Sequence, residues 1–175
     1  LKRFLDRHAE RRHGQIFNTT TGRRLAACIP MHTFGHPCRI EETVALCAER
    51  GIAVVEDAAE SLGSRVGARH TGGFGRLGTL SFNGNKIITT GGGGMILTDD
   101  SALAIRAKHL TTTAKIPHPY EFVHDETGYN YRLPNLNAAL GCAQMERLPE
   151  MLAVKAAVAA RYATFFAEAG IPFVQ

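Results

Sequence analysis

Two short apolar runs flank a helical segment, and this order constrains the fold most. The runs "RRLAACIPMH" (23–32) and "IAVVED" (52–57) are typical of buried strands. Between them, "RIEETVALCAERG" (39–51) places apolar residues at helical spacing and ends in Gly51, a predicted helix C-cap. This order predicts a βαβ unit, in which the two strands run parallel and the crossover is right-handed.

The rest of the chain alternates in the same way. Further strands are predicted at 79–84 and 94–100, and Ser101 is a predicted N-cap for the helix that follows. The remaining predicted helices are the opening segment "LKRFLDRHAERR" and two long alanine-rich helices after residue 135, the second with Pro149 in its first turn. Together these elements predict an α/β fold, a mainly parallel sheet flanked by helices.

The charge balance invites a nucleic-acid interpretation, which the sequence does not favour. The net charge is +4 and basic residues crowd the start of the chain, but Asp6 and Glu10 interrupt them. No aromatic platform or helix-turn-helix spacing accompanies the basic residues, so a solvated helix face explains them better. No apolar run approaches a membrane span, and the charged first residues are unlike a signal peptide. We therefore expect neither a nucleic-acid nor a membrane partner.

The cysteines indicate the compartment. Cys28, Cys38, Cys47 and Cys142 form no C-x-x-C pair and have no metal-like spacing. We expect reduced thiols, mostly buried as small apolar residues, in a cytoplasmic protein.

Two motifs resemble ligand sites but are not expected to bind the ligands that they suggest. "GFGRLG" (73–78) matches G-x-G-x-x-G, but a strand rather than a helix is predicted after it, so dinucleotide binding is not expected. His32 and His36 lie around a Gly-Pro turn and lack a third ligand, so no metal site is expected. His32 could still line a site, since ligands bind at the carboxyl ends of parallel strands.

Asp57 and Lys86 carry the strongest chemical signal. Asp57 directly follows a buried strand, where an acid needs a cation or good hydrogen bonds, or serves as an N-cap for "AAESLG". Lys86 stands in "SFNGNKIITTGGGGM" with hydroxyl and amide groups at Ser81, Asn83 and Asn85. Pyridoxal phosphate needs a lysine for its Schiff base, an acid for its pyridine nitrogen and donors for its phosphate. These residue types predict a pyridoxal-phosphate site.

Three segments in order resemble a known family. "VVEDAAESLGS" (54–64), "GTLSFNGNKIITTGGGGMILTDD" (78–100) and "GYNYRLPNLNAALGCAQMERL" (128–148) are similar to the DegT/DnrJ/EryC1/StrS sugar aminotransferases. These are pyridoxal-phosphate enzymes with the aspartate-aminotransferase (type I) fold. These segments are most similar to the branch of the family that aminates 4-keto nucleotide sugars, as in bacillosamine and legionaminic-acid pathways.

The resemblance implies a role for five residues. Lys86 would hold the cofactor as a Schiff base and then act as a general base, and Asp57 would pair with the pyridinium nitrogen. Glu60 would lie near the cofactor's ring hydroxyl, and Ser81 would bind its phosphate. Asn130 would reach the phosphate of the neighbouring subunit's cofactor, which implies a homodimer with shared sites. Glu56 is expected to point to the opposite face of the strand from Asp57 and to matter little for the chemistry.

The implied activity is transfer of an amino group, from glutamate, to a keto carbon of a nucleotide-linked sugar, for cell-surface polysaccharide or glycoconjugate synthesis. One alternative is a sugar dehydratase of the same family, which would have histidine in place of Lys86. The other alternative is a truncated remnant without catalysis.

The sequence departs from the family in two respects. Arg76 stands where the family has an acid, and we expect its positive charge close to the cofactor loop. Family members are about twice as long, so we expect a fragment: a partial cofactor-binding core at 1–148 and, at 149–175, a helix leading toward a small domain. We expect the glycines at 91–94 to let the backbone pass close to the cofactor and to the partner subunit.

Overall fold

The computed structural model describes residues 1–172, which contain five α-helices and eight β-strands. The helices are α1 (Lys2–His8), α2 (Ile40–Arg50), α3 (Ser101–Thr111), α4 (Asn135–Glu146) and α5 (Leu148–Glu168). The strands are β1 (Ala9–Arg12), β2 (Gln15–Asn18), β3 (Ala27–Cys28), β4 (Ala53–Asp57), β5 (Arg65–Val66), β6 (Arg69–His70), β7 (Leu77–Ser81) and β8 (Gly94–Leu97). Within residues 1–172, no helix is both long and apolar enough to cross a membrane.

A four-stranded sheet organises these elements in the order β3-β4-β7-β8. β4 pairs in parallel with β3 and with β7, while β7 and β8 are antiparallel. The predicted α/β fold with a mainly parallel sheet and a βαβ unit is therefore confirmed. Because β4 and β7 are parallel neighbours, their carboxyl ends lie at the same edge of the sheet.

The core lies between α2 and the start of the sheet. Ile40 and Cys47, seven residues apart on one face of α2, are completely buried and pack with Leu5, Ile16 and Val54. Gly51 ends the helix in the left-handed region at φ 68°, and its N–H contacts the carbonyls of Cys47 and Ala48. The predicted C-cap is confirmed.

The prediction for the start of the chain is partly wrong. The helix ends at His8, and residues 9–12 form β1, which pairs antiparallel with β2. His13 and Gly14 both have positive φ between these strands, a geometry typical of tight hairpin turns. Cross-strand pairing outweighs the helical spacing of this segment.

Three finer predictions are also corrected. Asp100, rather than Ser101, caps α3: its carboxylate accepts the N–H groups of Ala102 and Leu103. β3 is only two residues long, and Met31 nearby is about half exposed. Cys142 is exposed, although the other three cysteines are at least partly buried.

The glycines of the G-x-G-x-x-G string have a packing role. As predicted, a strand rather than a helix comes next: β7 begins at Leu77 and includes Gly78. A Cβ at Gly78 would overlap the carbonyl oxygen of Gly72, and one at Gly75 would lie 2.7 Å from the carbonyl oxygen of Val54. The turn at 72–75 therefore lies directly against β4 and β7, with backbone touching backbone.

This packing predicts the effect of adding one methyl group. Gly78→Ala should lower the free energy of unfolding by about 1–3 kcal/mol or more, because the overlapping atom belongs to the backbone and has little room to move. Urea denaturation would measure the change. Gly84→Ala is the matched control, since no atom lies within 4 Å of a Cβ there. Equal losses in both variants would contradict the packing argument.

Candidate active site

The predicted site residues gather at the carboxyl edge formed by β4 and β7. Asp57 is the last residue of β4 and Ser81 is the last residue of β7. Glu60 follows β4 in a turn and Lys86 follows β7 in a loop. The parallel register of β4 and β7, with Asp57 opposite Thr79, brings these four residues to one side of the molecule.

Lys86 and Glu60 are in contact. The Lys86 Nζ atom lies 3.4 Å from Glu60 Oε1, and their side chains are 16% and 33% exposed. Glu60 Oε2 accepts the backbone N–H of Phe34 at 2.8 Å. This N–H bond and then the bond from Lys86 lower the pKa of the Glu60 carboxyl below its usual value. Glu60 is therefore the anion that holds the lysine amine in the loop.

Asp57 keeps part of its carboxylate available. Its Oδ1 atom accepts the Ala59 N–H at 3.1 Å, and the half-buried side chain has no other hydrogen bond among residues 1–172. A turn rather than a helix follows, so the alternative role as an N-cap for residues 58–63 is wrong. The second carboxylate oxygen is free to accept an N–H group from a ligand.

Ser81 also has capacity to bind a ligand. Its hydroxyl oxygen accepts the Asn83 N–H at 3.3 Å, which leaves the hydroxyl hydrogen to donate. Asn83 in turn donates from its side chain to Asn85 Oδ1 at 3.3 Å. The turn between β7 and Lys86 is therefore lined with polar groups.

Helix α4 holds the lysine loop, a feature that the sequence did not predict. Gln144 Oε1 accepts the Thr89 N–H at 2.8 Å, and the Asn137 side-chain amide donates to the Thr90 carbonyl. Gly141 lies between them on the same helix face, where a Cβ would come 2.9 Å from the Thr90 methyl group. The spacing of Asn137, Gly141 and Gln144 predicts that they share one helix face. Nothing local in the sequence predicts that this face packs against the lysine loop.

Two of the glycines at 91–94, Gly93 and Gly94, are required by contacts within the chain. A Cβ at Gly94 would lie 2.5 Å from the Leu80 carbonyl oxygen, and one at Gly93 would lie 2.7 Å from a Leu133 methyl group. Gly93 also has a φ of 125°, which other residues rarely adopt. These contacts place Gly94 against β7 and Gly93 against Leu133, which precedes α4. The expected close approach to the cofactor and the partner subunit stays a prediction.

Glu56 is the most important residue missed by the sequence analysis. Its side chain points away from solvent and is completely buried. The carboxylate accepts the N–H groups of Gly72 at 2.8 Å, of Gly75 at 2.6 Å and of Phe74. A buried acid followed by a glycine-rich turn is the signal that could have revealed this arrangement.

His32 completes the set of donors. Its Nε2 atom lies 3.0 Å from Glu56 Oε2, and its Nδ1 atom accepts the Cys38 N–H at 3.2 Å. Because Nδ1 accepts, we assign the ring hydrogen to Nε2, which donates to Glu56. His32 is itself completely buried, so the expectation that it could line the site is wrong.

Asn130 is not brought to the other four residues. It is exposed, its backbone pairs with Thr112, and its side chain makes no hydrogen bond within residues 1–172. The segment 113–130 that carries it is held to α3 by an ion pair between Arg106 and Glu126 and by a hydrogen bond of 2.7 Å between His109 Nε2 and Asp125 Oδ1. The carboxylate of Glu126 is thus already used by Arg106 in this His-Asp-Glu cluster.

Arg76 lies at the other end of β7 from the site. It precedes the strand, whereas Ser81 ends it, and its guanidinium lies 3.7 Å from the Asp100 carboxylate. The expectation of a positive charge close to the cofactor loop is therefore wrong. Its charge faces the start of α3.

A cavity of about 860 Å³ lies against β7, β8 and α3. Its lining includes Met95, Lys108 and Tyr131, but neither Lys86 nor Asp57. The reactive groups of Asp57, Ser81 and Lys86 therefore lie at the carboxyl edge of the sheet and not in this cavity.

The buried carboxylate predicts a loss of stability on a conservative change. Glu56→Gln should lower the free energy of unfolding by about 1–3 kcal/mol, since the new amide NH₂ must face N–H donors without an acceptor. Denaturation monitored by circular dichroism would measure it. Glu146→Gln, at the exposed end of α4, is the control and should change little. A Glu56 variant as stable as wild type would contradict the four-donor arrangement.

Comparisons with known proteins show the family of the chain. Residues 14–175 match the DegT/DnrJ/EryC1/StrS aminotransferase family. EpsN of Bacillus subtilis is 43% identical over 136 residues, 78% of this chain and 35% of EpsN. GDP-perosamine synthase of Escherichia coli is 41% identical over 136 residues, 78% of this chain and 37% of that protein.

The structural comparison gives the same answer. Helicobacter pylori PseC, an aminotransferase involved in the biosynthesis of pseudoaminic acid, superposes with a TM-score of 0.76 at 27% identity, over 79% of this chain and 38% of PseC. The chain thus spans less than two fifths of the length of each of these relatives. The chain belongs to the DegT/DnrJ/EryC1/StrS aminotransferase family, with the type I fold of pyridoxal-phosphate-dependent transferases and pyridoxal phosphate as the family's cofactor.

Proposed function

We propose that this chain carries the cofactor-binding site of an aminotransferase that moves an amino group from glutamate to a keto carbon of a nucleotide-linked sugar. The observation that carries the proposal is the meeting of Lys86, Asp57 and Ser81 at one sheet edge, in a chain of this family. The relatives named for GDP-perosamine support the sugar, and cell-surface polysaccharide or glycoconjugate synthesis would use the product. Glutamate as donor rests on the family resemblance.

The residues present fit pyridoxal phosphate. Lys86 offers a primary amine, Asp57 a carboxylate oxygen without a hydrogen bond within residues 1–172, and Ser81 a hydroxyl hydrogen. When bound, the cofactor supplies an aldehyde that condenses with amines and a pyridinium ring that accepts an electron pair. We assign Lys86 to the aldehyde, Asp57 to the ring N–H, and Ser81 to the phosphate. Glu60, beside the amine, is assigned to the ring hydroxyl.

The chain's own residues then supply the proton transfer. The Lys86 Nζ atom, once neutral, takes the proton from the α-carbon of the amino donor as a general base. Glu60 holds that nitrogen at the working edge between transfers, because its lowered pKa keeps it anionic. A dehydratase of the family would need histidine at this position, so Lys86 argues for amino transfer.

We further propose that the working unit is a cytoplasmic homodimer with shared sites. The exposed Asn130, on a segment held to α3 by the Arg106–Glu126 ion pair, would reach the phosphate bound by the partner. Residues 1–148 would form the cofactor-binding part. The helix α5 would lead toward a small domain, although α5 ends at Glu168 and residues 173–175 lie outside the described range.

The assignment of Lys86 predicts a spectroscopic result. Pyridoxal phosphate added to the full-length protein should give an absorption band of the lysine-linked cofactor, and Lys86→Ala should abolish it, since the variant lacks the amine to which we assign the aldehyde. Lys155→Ala, on the exposed face of α5, is the control and should keep the band. A band that survives in Lys86→Ala would refute the assignment.

The shared site predicts complementation between two inactive variants. Lys86→Ala and Asn130→Ala should each lose most transfer activity as homodimers. In a mixed dimer, one site contains both substitutions and the other contains none, so unfolding and refolding the two together should restore up to a quarter of wild-type activity (roughly half of dimers mixed, half of their sites intact). Steady-state assays would measure it. The absence of any recovery, with mixed dimers present by mass spectrometry, would place Asn130 in its own subunit's site or outside the site.

A further inference from the structure

Phe34 has a backbone conformation that its side chain does not favour. It lies in the left-handed region at φ 53°, ψ 25°, where a bulky residue is an outlier. Its ring is 85% exposed, so packing in the described chain does not explain why phenylalanine is present. Folding alone would favour glycine at this position.

The surroundings fix this conformation from several sides. The Phe34 N–H donates to Glu60 at 2.8 Å, and the carbonyl of the next residue, Gly35, accepts the Ser64 hydroxyl at 2.7 Å. On the other side, the His32 ring is fixed between Glu56 and the Cys38 N–H. Strained residues that are held by so many contacts occur mainly at functional sites.

Phe34 is the outermost member of a short series that starts at the reactive amine. Side-chain exposure rises from 16% at Lys86 to 33% at Glu60, and Phe34 is 85% exposed. One carboxylate, with bonds of 3.4 and 2.8 Å, joins the Lys86 amine to the Phe34 backbone. Phe34 is therefore exposed to solvent next to the carboxylate that contacts the Lys86 amine, where a substrate approaching that amine can meet its ring.

We infer that Phe34 is a specificity-determining residue whose ring packs against the apolar face of the substrate's sugar. This inference rests on the proposed function. The sugar carries the reacting carbon, whereas the nucleobase is separated from that carbon by the diphosphate. The amino donor is small and charged and offers little apolar surface to an aromatic ring.

The test separates the ring from the strained backbone. In the full-length holoenzyme, the dissociation constant of GDP-perosamine, followed by the cofactor's absorption, should rise about tenfold in both Phe34→Ala and Phe34→Gly. Phe34→Tyr should keep the wild-type value. The thermal midpoint of Phe34→Gly should not fall, because glycine relieves the backbone strain. His13→Gly is the matched control: it removes another exposed left-handed residue, in the β1–β2 turn, and should leave the dissociation constant unchanged.

Several results would overturn the inference. GDP-perosamine affinity within twofold of wild type in Phe34→Ala and Phe34→Gly would do so, as would a wild-type holoenzyme that reacts with glutamate but does not bind GDP-perosamine. A loss of pyridoxal-phosphate affinity in the Phe34 variants would mean that the ring packs on the cofactor instead. Failure of the proposed function is distinct, since the wild-type protein would then lack the cofactor band that depends on Lys86.

Discussion

The buried Glu56 carboxylate is the interaction on which the arrangement of the site depends. An anion without access to water must find hydrogen-bond donors, and Glu56 takes them from the turn at 72–75 and from His32. Three separate parts of the chain must therefore meet at one point under the carboxyl end of β4. Because His32 begins the turn that carries Phe34, and Phe34 in turn bonds Glu60, this buried anion fixes the surroundings of Lys86 without touching it.

Local pattern predicted the parts of the fold that local forces decide. The α2 helix with its Gly51 cap and the β4 strand follow from apolar spacing, because each buries one face or a whole run in the core. Residues 9–12 were predicted wrongly because their pairing with β2 is a cross-strand effect. Asp100 and Ser101 are adjacent and both suit an N-cap, so the sequence could not distinguish them.

The sequence could predict those parts of the site whose position depends only on the order of the strands. Asp57 and Ser81 follow neighbouring parallel strands, so their proximity follows from the topology. The two contacts of α4 with the lysine loop join residues that are separated by 47 and by 55 positions in the sequence, and no pattern of spacing predicts such contacts. Glu56 was expected on the opposite face of β4 from Asp57, but its donors come from residues 32 and 72–75, whose approach to it no local pattern predicts.

The hydrogen bonds between α4 and the lysine loop reduce the conformational entropy that the loop would lose on binding a ligand. The Asn137 amide donates to Thr90 and the Gln144 side chain accepts from Thr89, and further hydrogen bonds hold Phe82 to Thr90 and Gly93. These bonds fix the backbone on both sides of Lys86 before any ligand arrives. Ordering a backbone residue costs about 1–2 kcal/mol, and here that ordering takes place during folding. In the proposed function, only the four-carbon side chain of Lys86 would then need to rearrange as substrates exchange. Preorganisation of this kind lets a short, glycine-rich loop present one amine with little conformational search.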